Sequence, residues 1–345
     1  MKNSNIAESV YKVNLEYVIL QNKTKELFFQ CLEEERDATY FNYRLKELWG
    51  NLDHSFMADE IAEYETIIHQ RDLELAGLKE QDIEDTSNKE ILKLVPIAVV
   101  LGAESKFIKQ KEKEYKNSMK VILRIKSRAT EDELSQIRTE TAKEEYLKQK
   151  VQRYTSQIVP YYSKETGNKI RDVELSTYTS MIHNTNLTRT VWNQTLNDAQ
   201  IMDQQKFIIP YHSFSCPYCV AHQNKVLNNK QVMKLIGHIE EQEGDILHPN
   251  CKCILTFYDR NIKYRKPGYS KGELEEQYQI RQKVNSLTLQ QEKIQTDIKI
   301  QNKLGNQDEV DDLAKNLRKV NQEIGELQKA LPTTELRRQV VAINR

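Results

Sequence analysis

The sequence predicts a mainly α-helical protein with one small α+β module set into it and a C-terminal antiparallel helical hairpin. Three observations carry that expectation. Helix breakers are rare: the 345 residues include 10 Gly and 7 Pro, no proline precedes Pro96, and Gly50 and Gly77 are the only glycines before it. Each such residue inside a helix would cost roughly 1 to 3 kcal/mol, so their scarcity favours long helices and argues against glycine-dependent dinucleotide folds and large barrels. Apolar residues recur at spacings of three and four towards both ends of the chain. Between them lies one stretch of different texture, where short apolar runs flank a cluster of cysteines and histidines.

Taken in order, Ile6, Val10, Val13, Tyr17 and Leu20 form one apolar stripe of an amphipathic helix, and Met57, Ile61, Tyr64 and Ile68 form another. Residues 81–89 are polar and predict a break. Residues 91–101 are apolar around Pro96 and fit a short strand or a buried turn, because a run this short has no readable period. Charged helix resumes over roughly 104–157. Cys31 sits among Leu27, Phe28, Phe29 and Leu32 and reads as a small buried hydrophobe rather than a nucleophile. Near Pro160 the texture changes. Gly167-Asn168 predicts the turn of a loop or hairpin, a helix is expected from about Val173 to Gln200, and short strands are expected over Lys206–His212 and Ile254–Tyr258. Pro267-Gly268 marks the next boundary.

The C-terminal region has the clearest period. Val310, Leu313, Leu317, Val320, Ile324, Leu327 and Leu331 alternate threes and fours, as do Val284, Leu287, Gln291, Ile294 and Ile298. Gly305 can end the first helix, and Asn306 or Asp308 can cap the second. Two seams joined by a short polar turn predict the hairpin, an arm over roughly 272–331. Pro332 ends it and leaves a basic tail with Arg337, Arg338 and Arg345. The expected organisation is therefore a helical region over 1–158, a core module over 159–266, the hairpin or coiled coil over 267–331 and the tail over 332–345.

Lys+Arg and Asp+Glu balance at 51 each, which gives no electrostatic reason to expect a dedicated nucleic-acid binder. The run from Val95 to Leu101 is far too short to span a bilayer, and the N-terminus lacks a signal-like apolar region. Synthesis in the cytosol is expected, where disulfides are disfavoured. Four of the five cysteines, Cys216, Cys219, Cys251 and Cys253, lie close together in sequence. Cys216-Pro-Tyr-Cys219 offers two thiolates from a tight turn, and His248-Pro-Asn-Cys251 offers a second pair three residues apart. Together they meet the four-ligand requirement of a structural Zn2+ site. Cys216, Cys219, His248 and Cys251 are the first choice; Cys253 can replace His248 or Cys251, and His212 and His222 lie near enough in sequence to reach. A redox pair would need a buried helix after its second cysteine, which Val220-Ala-His-Gln-Asn-Lys-Val does not predict. Catalytic zinc is disfavoured as well: the chain has no His-Glu-x-x-His and no deaminase signature.

The same residues carry a resemblance. Gly167-Asn-Lys-Ile170, the helix with Tyr178 and Thr185, Tyr211-His212, Cys216-Pro-Tyr-Cys219, His222-Gln-Asn-Lys-Val226 and His248-Pro-Asn-Cys251-Lys-Cys253 follow one another as in the phage minor capsid protein 2 family. That family is itself similar to the Mu F-like head-morphogenesis proteins of tailed phages. The resemblance covers about residues 160–331. Asn224 stands where the family often has Gly, Lys252 replaces Arg, and Asn184 occupies the usual Arg place. The resemblance implies a low-copy head-morphogenesis protein, made in the host cytoplasm and built into the virion head. Its implied partners are the portal or capsid proteins and the packaged DNA, and it implies no enzymatic activity. Two other classes compete. One is a zinc-dependent nucleic-acid-binding protein or His-Asn-His-like nuclease, for which Asp245 before His248 is the only feature present. The other is an injected toxin-type enzyme, for which no Arg…Ser-Thr-Ser…Glu-x-Glu pattern exists.

Overall fold

Three helices open the chain: α1 (Ser4–Glu33), α2 (Ala38–Gly50) and α3 (Ser55–Ala76). The structure, a computed structural model, describes residues 4–77, 91–155, 157–162, 169–211, 217–240, 251, 253–264, 271–303, 305 and 307–331. Of the predicted stripe, Val13, Tyr17 and Leu20 are buried and Val10 is partly buried, and α1 also buries Phe28 and Leu32. Asp37 starts α2 by accepting the Tyr40 amide at 2.7 Å. Gly77 ends α3 at φ +69°, with its own amide turned back to the Leu73 and Glu74 carbonyls.

Two long helices follow, α4 (Ile97–Lys126) and α5 (Glu133–Arg153). The single charged helix expected over 104–157 is thus two, because the Asp132 carboxylate caps α5 on the Ser135 amide. The apolar run 91–101 is neither strand nor turn throughout: α4 begins directly after Pro96, whose fixed φ suits a helix start. The first core gathers α1, α2, α4 and α5 around Phe28. Its ring meets Phe29, Phe41, Tyr115 and Tyr154, and Phe41 stacks on Tyr115 with centroids 4.0 Å apart. Cys31 is 1% exposed in this core, a packing residue as expected.

The antiparallel strands β1 (Gln157–Tyr162) and β2 (Lys169–Glu174) lead into α6 (Leu175–Ile201). Beyond it come β3 (Lys206–Ile208), the single turn α7 (Pro217–Val220), β4 (Val226–Asn228), α8 (Asn229–Glu240) and β5 (Thr256–Phe257). Strand β3 is central, antiparallel to both β4 and β5. Trp192, Leu196, Phe207, Ile209, Val232, Leu255 and Phe257 form a second core over this sheet.

Helices α9 (Lys271–Lys303) and α10 (Gln307–Lys329) complete the described chain. Leu287, Ile294 and Val320 are buried between them, with Ile298, Leu313, Leu317, Ile324 and Leu327 packed alongside. Gly305 takes φ +70° between the two. Helix α9 is tied to both cores: Tyr278 packs against the second, Ile300 lies in the first, and Asp297 pairs with Lys25 of α1. No helix among the described residues is long and apolar enough to cross a membrane. The expected break over 81–89, the Gly167-Asn168 turn, the Pro267-Gly268 boundary and the basic tail lie outside the described residues.

Helix α6 is unusual in being both polar and buried. Ser176, Thr179, His183, Asn184, Thr188, Thr195 and Asp198 are all within 2% of complete burial. Short hydroxyls bond back to their own helix, as Thr179 does to the Leu175 carbonyl and Ser180 to the Ser176 carbonyl. The remaining groups need partners from elsewhere. Helix α1 supplies Gln21, which accepts the Ser176 amide, and Ser9, 2.7 Å from His183 Nε2. Helix α3 supplies Glu60 to His183, His69 to Asp198 at 2.7 Å, and Arg71 to Thr195 at 2.7 Å. The segment before α4 contributes its backbone. Asn193 Oδ1 accepts the Leu92 amide at 2.7 Å while its Nδ2 donates to the Leu92 carbonyl at 2.8 Å, and Asn186 does the same to Val95 at 2.7 and 2.9 Å. Seven helical residues rise about 10.5 Å, and three extended residues span about 10 Å, so the two asparagines match the two amides in length.

Asp72 of α3, fully buried on the same seam, sets a pH dependence. Burial pushes its carboxyl up to about 7 against the pull of Arg71, and the Asp198 carboxylate adds to the rise. The other groups facing it are Thr195 and, through Asp198, His69. A raised acid binds its proton in the folded state, so its contribution is complete below about pH 4 and is lost as pH climbs to about 7. Asp72→Asn removes that titration. The stability of the variant minus that of the wild type, measured by urea denaturation, should rise between pH 4 and 7 and level off above.

Candidate metal centre

The three thiols that come together are Cys219, Cys251 and Cys253, their sulfurs all within 4.8 Å of one another and all buried. Sheet topology explains the meeting. Cys219 lies in α7, between the central strand β3 and its neighbour β4, while Cys251 and Cys253 immediately precede β5, the other neighbour. The pairs Phe207–Phe257 and Ile208–Thr256 fix the β5 register and so bring the incoming cysteines beside α7. The turn after Cys219 closes by the His222 amide on the Cys219 carbonyl at 3.0 Å. Asn224 then takes φ +55°, a left-handed conformation that asparagine tolerates better than most residues. Its amide donates to the Ile209 carbonyl, and its Oδ1 accepts the Tyr211 amide at 3.2 Å, locking the loop to the chain beyond β3.

A second anchor comes from α6. The Cys251 carbonyl accepts from Asn184 Nδ2 at 3.0 Å and lies 3.1 Å from the Thr188 hydroxyl, which also reaches the Asn184 carbonyl at 2.8 Å. The Cys253 carbonyl accepts the Trp192 indole N–H at 3.0 Å, and the Leu255 carbonyl faces the Thr195 hydroxyl at 3.3 Å. Carbonyls at 251, 253 and 255 thus face one helix, the two-residue repeat of an extended chain.

Around the sulfurs, Cys219 Sγ lies 3.4 Å from Cys251 Sγ, well beyond the roughly 2.05 Å of a disulfide. The Cys253 amide donates to Cys251 Sγ at 3.4 Å, and Gln223 Nε2 donates to Cys253 Sγ at 3.2 Å. N–H donors aimed at sulfur suit thiolates. The hydrogen bond with Cys219 pulls the Cys253 thiol down, but the one with Cys251, burial and the Cys251 charge push it up, and it sits well above its ordinary value. Three buried sulfurs this close cannot share negative charge without a cation among them. The donor set fits one: three soft ligands converging from two segments, with backbone and amide N–H groups turned toward the sulfurs, could hold a metal ion.

Of the residues singled out in the sequence, Cys219 and Cys251 are in the cluster, and Cys253, the alternative, is there with them. His222 is described, is partly buried and is not one of the group. Cys216, His248 and His212 lie outside the described residues. What sequence reading missed is the α6 face formed by Asn184, Thr188, Trp192 and Thr195. The spacing of 184, 188, 192 and 195 was visible, but a row of Asn and Thr reads as a solvated face. Comparison with protein-family models, curated proteins and solved structures finds no match for this chain.

Proposed function

We propose that the chain is a minor structural protein of a tailed-phage head that works by binding the portal or capsid proteins, with its central module stapled by one structural Zn2+. The observation that carries the reading is the convergence of Cys219, Cys251 and Cys253, residues of the Cys-Pro-x-Cys and His-Pro-Asn-Cys-x-Cys motifs on which the resemblance rests. Asn224 adds support: it stands where the resembled family often has Gly, and its positive φ is the conformation glycine adopts without penalty. Structural zinc takes four ligands, and Cys216 or His248, each three residues before a clustered thiol, supplies the fourth. A three-stranded sheet this small has little core of its own, so metal binding there is folding free energy. Helices α9 and α10 act in this reading as an antiparallel hairpin that presents a charged outer face to partners, with the pairs Lys283–Glu323 and Gln291–Asn321 across its seam.

Elemental analysis of the full chain purified without chelators should return about one equivalent of zinc, and stripping it should lower the melting temperature. A metal-free preparation with the same melting temperature as a zinc-supplemented one would contradict the zinc reading. Purified virions should contain the protein well below the copy number of the major capsid protein, and deleting its gene should yield defective heads or non-infectious particles. Absence from mature particles, together with metal-dependent nuclease activity of the pure protein, would overturn the structural role.

A further inference from the structure

We infer that α6 is the positioning element of the thiol site, and that Asn184, Thr188 and Trp192 set its metal affinity without touching the metal. The inference rests on the reading of the cluster as a metal site. Its grounds are geometric. At 100° per residue, positions 184, 188, 192 and 195 share one face of α6. They grip the carbonyls of residues 251, 253 and 255 and therefore the backbone of both clustered cysteines in that segment. A carbonyl held toward α6 at every second residue fixes the rotation of the chain about its own axis. That rotation aims the Cys251 and Cys253 side chains, and so decides whether they meet Cys219. The grip is buried: Asn184, Thr188 and Trp192 are each within 2% of complete burial. No water competes for these carbonyls: the Cys251 carbonyl is held by both Asn184 and Thr188, and the Cys253 carbonyl by the Trp192 indole, so losing any one donor loosens the grip.

The opposite face offers an internal control. Asn186 and Asn193 lie about 160° round the helix, and among the described residues their side chains bond to Val95 and Leu92 respectively. They stabilise the same helix but hold no residue of the site. If the cysteines alone defined the metal affinity, both faces would matter equally little. If α6 positions the thiols, only the 184–188–192 face should move it.

Co2+ is the probe, because its thiolate charge-transfer and d–d bands report both ligand number and geometry; Zn2+ affinity follows from competition against Co2+ and a chelator of known strength. The full chain is compared with Thr188→Val, Trp192→Phe, Asn184→Ala, the conservative Thr188→Ser and the control Asn193→Leu. Partners that orient metal ligands typically carry 10- to 100-fold of affinity. Thr188→Val and Trp192→Phe should therefore weaken Zn2+ binding roughly tenfold or more and shift the Co2+ bands, with Thr188→Ser close to wild type. Asn193→Leu should lower the melting temperature and leave the affinity and bands unchanged. Should Asn184→Ala fail to fold, the near-isosteric Thr188→Val and the smaller but still aromatic Trp192→Phe decide the question. Wild-type affinity and spectra in both would overturn the positioning role, as would an equal loss in Asn193→Leu. A wild-type chain that takes up neither Co2+ nor Zn2+ would instead overturn the metal reading itself, and this inference with it.

Discussion

The fold depends on satisfying a buried helix that is too polar to be buried alone. Helix α6 has apolar anchors at Leu175, Ile182, Leu187, Val191, Trp192 and Leu196, but amides, hydroxyls, an imidazole and a carboxylate fill the positions between them. Each such group left without a partner would cost about 1 to 3 kcal/mol. The chain answers on three sides. Helices α1 and α3 bring Gln21, Ser9, Glu60, His69 and Arg71. Residues 92 and 95 dock on a second side and residues 251, 253 and 255 on a third, both through their main chain. Side-chain amides that bond an N–H and a C=O of the same residue, as Asn186 and Asn193 do, act as one more strand partner for a backbone that has no sheet to join.

This arrangement joins the two cores. The start of α6 lies in the first, through Leu175 and Ile182, and its end lies in the second, through Trp192, Leu196 and Ala199. A three-stranded sheet with strands of two or three residues is marginal by itself. Here it borrows one wall from α6, and three buried thiols gather in the same core. Helix α9 reinforces the join by meeting the second core at Tyr278 and the first at Ile300. The polar seam also explains why Asp72 titrates high: the residues that satisfy α6 exclude water from a carboxylate that then faces another one.

Much of this was readable before the structure. The described members of the α1 and α3 stripes fall on buried or partly buried positions because a period of 3.6 is local and survives any tertiary context. The meeting of Cys219 with Cys251 was legible from the clustering of cysteines in sequence. Cys253 was under-weighted because a Cys-x-Cys pair has two ways to point, and only contact with α6 chooses between them. The run 91–101 resisted assignment for a related reason. Its first residues bond to asparagines a hundred positions away, and no local pattern encodes such a partner. The division of 104–157 into α4 and α5 had a signal in Asp132, three residues before Ser135, that charge density obscured. The role of α6 itself was hidden, because polarity in a sequence ordinarily means water.

That inversion is the central claim, and Asn193 is where it is most exposed to test. Its side chain is the partner of both the Leu92 amide and the Leu92 carbonyl, and it takes no part in the thiol site. Asn193→Leu keeps the branched heavy-atom shape, adds apolar surface and strands both backbone groups. Equilibrium urea denaturation of the full chain should show a loss of about 2 kcal/mol or more, despite the more hydrophobic side chain. An unchanged or raised stability would mean that α6 is held by its apolar anchors alone, and would contradict the account.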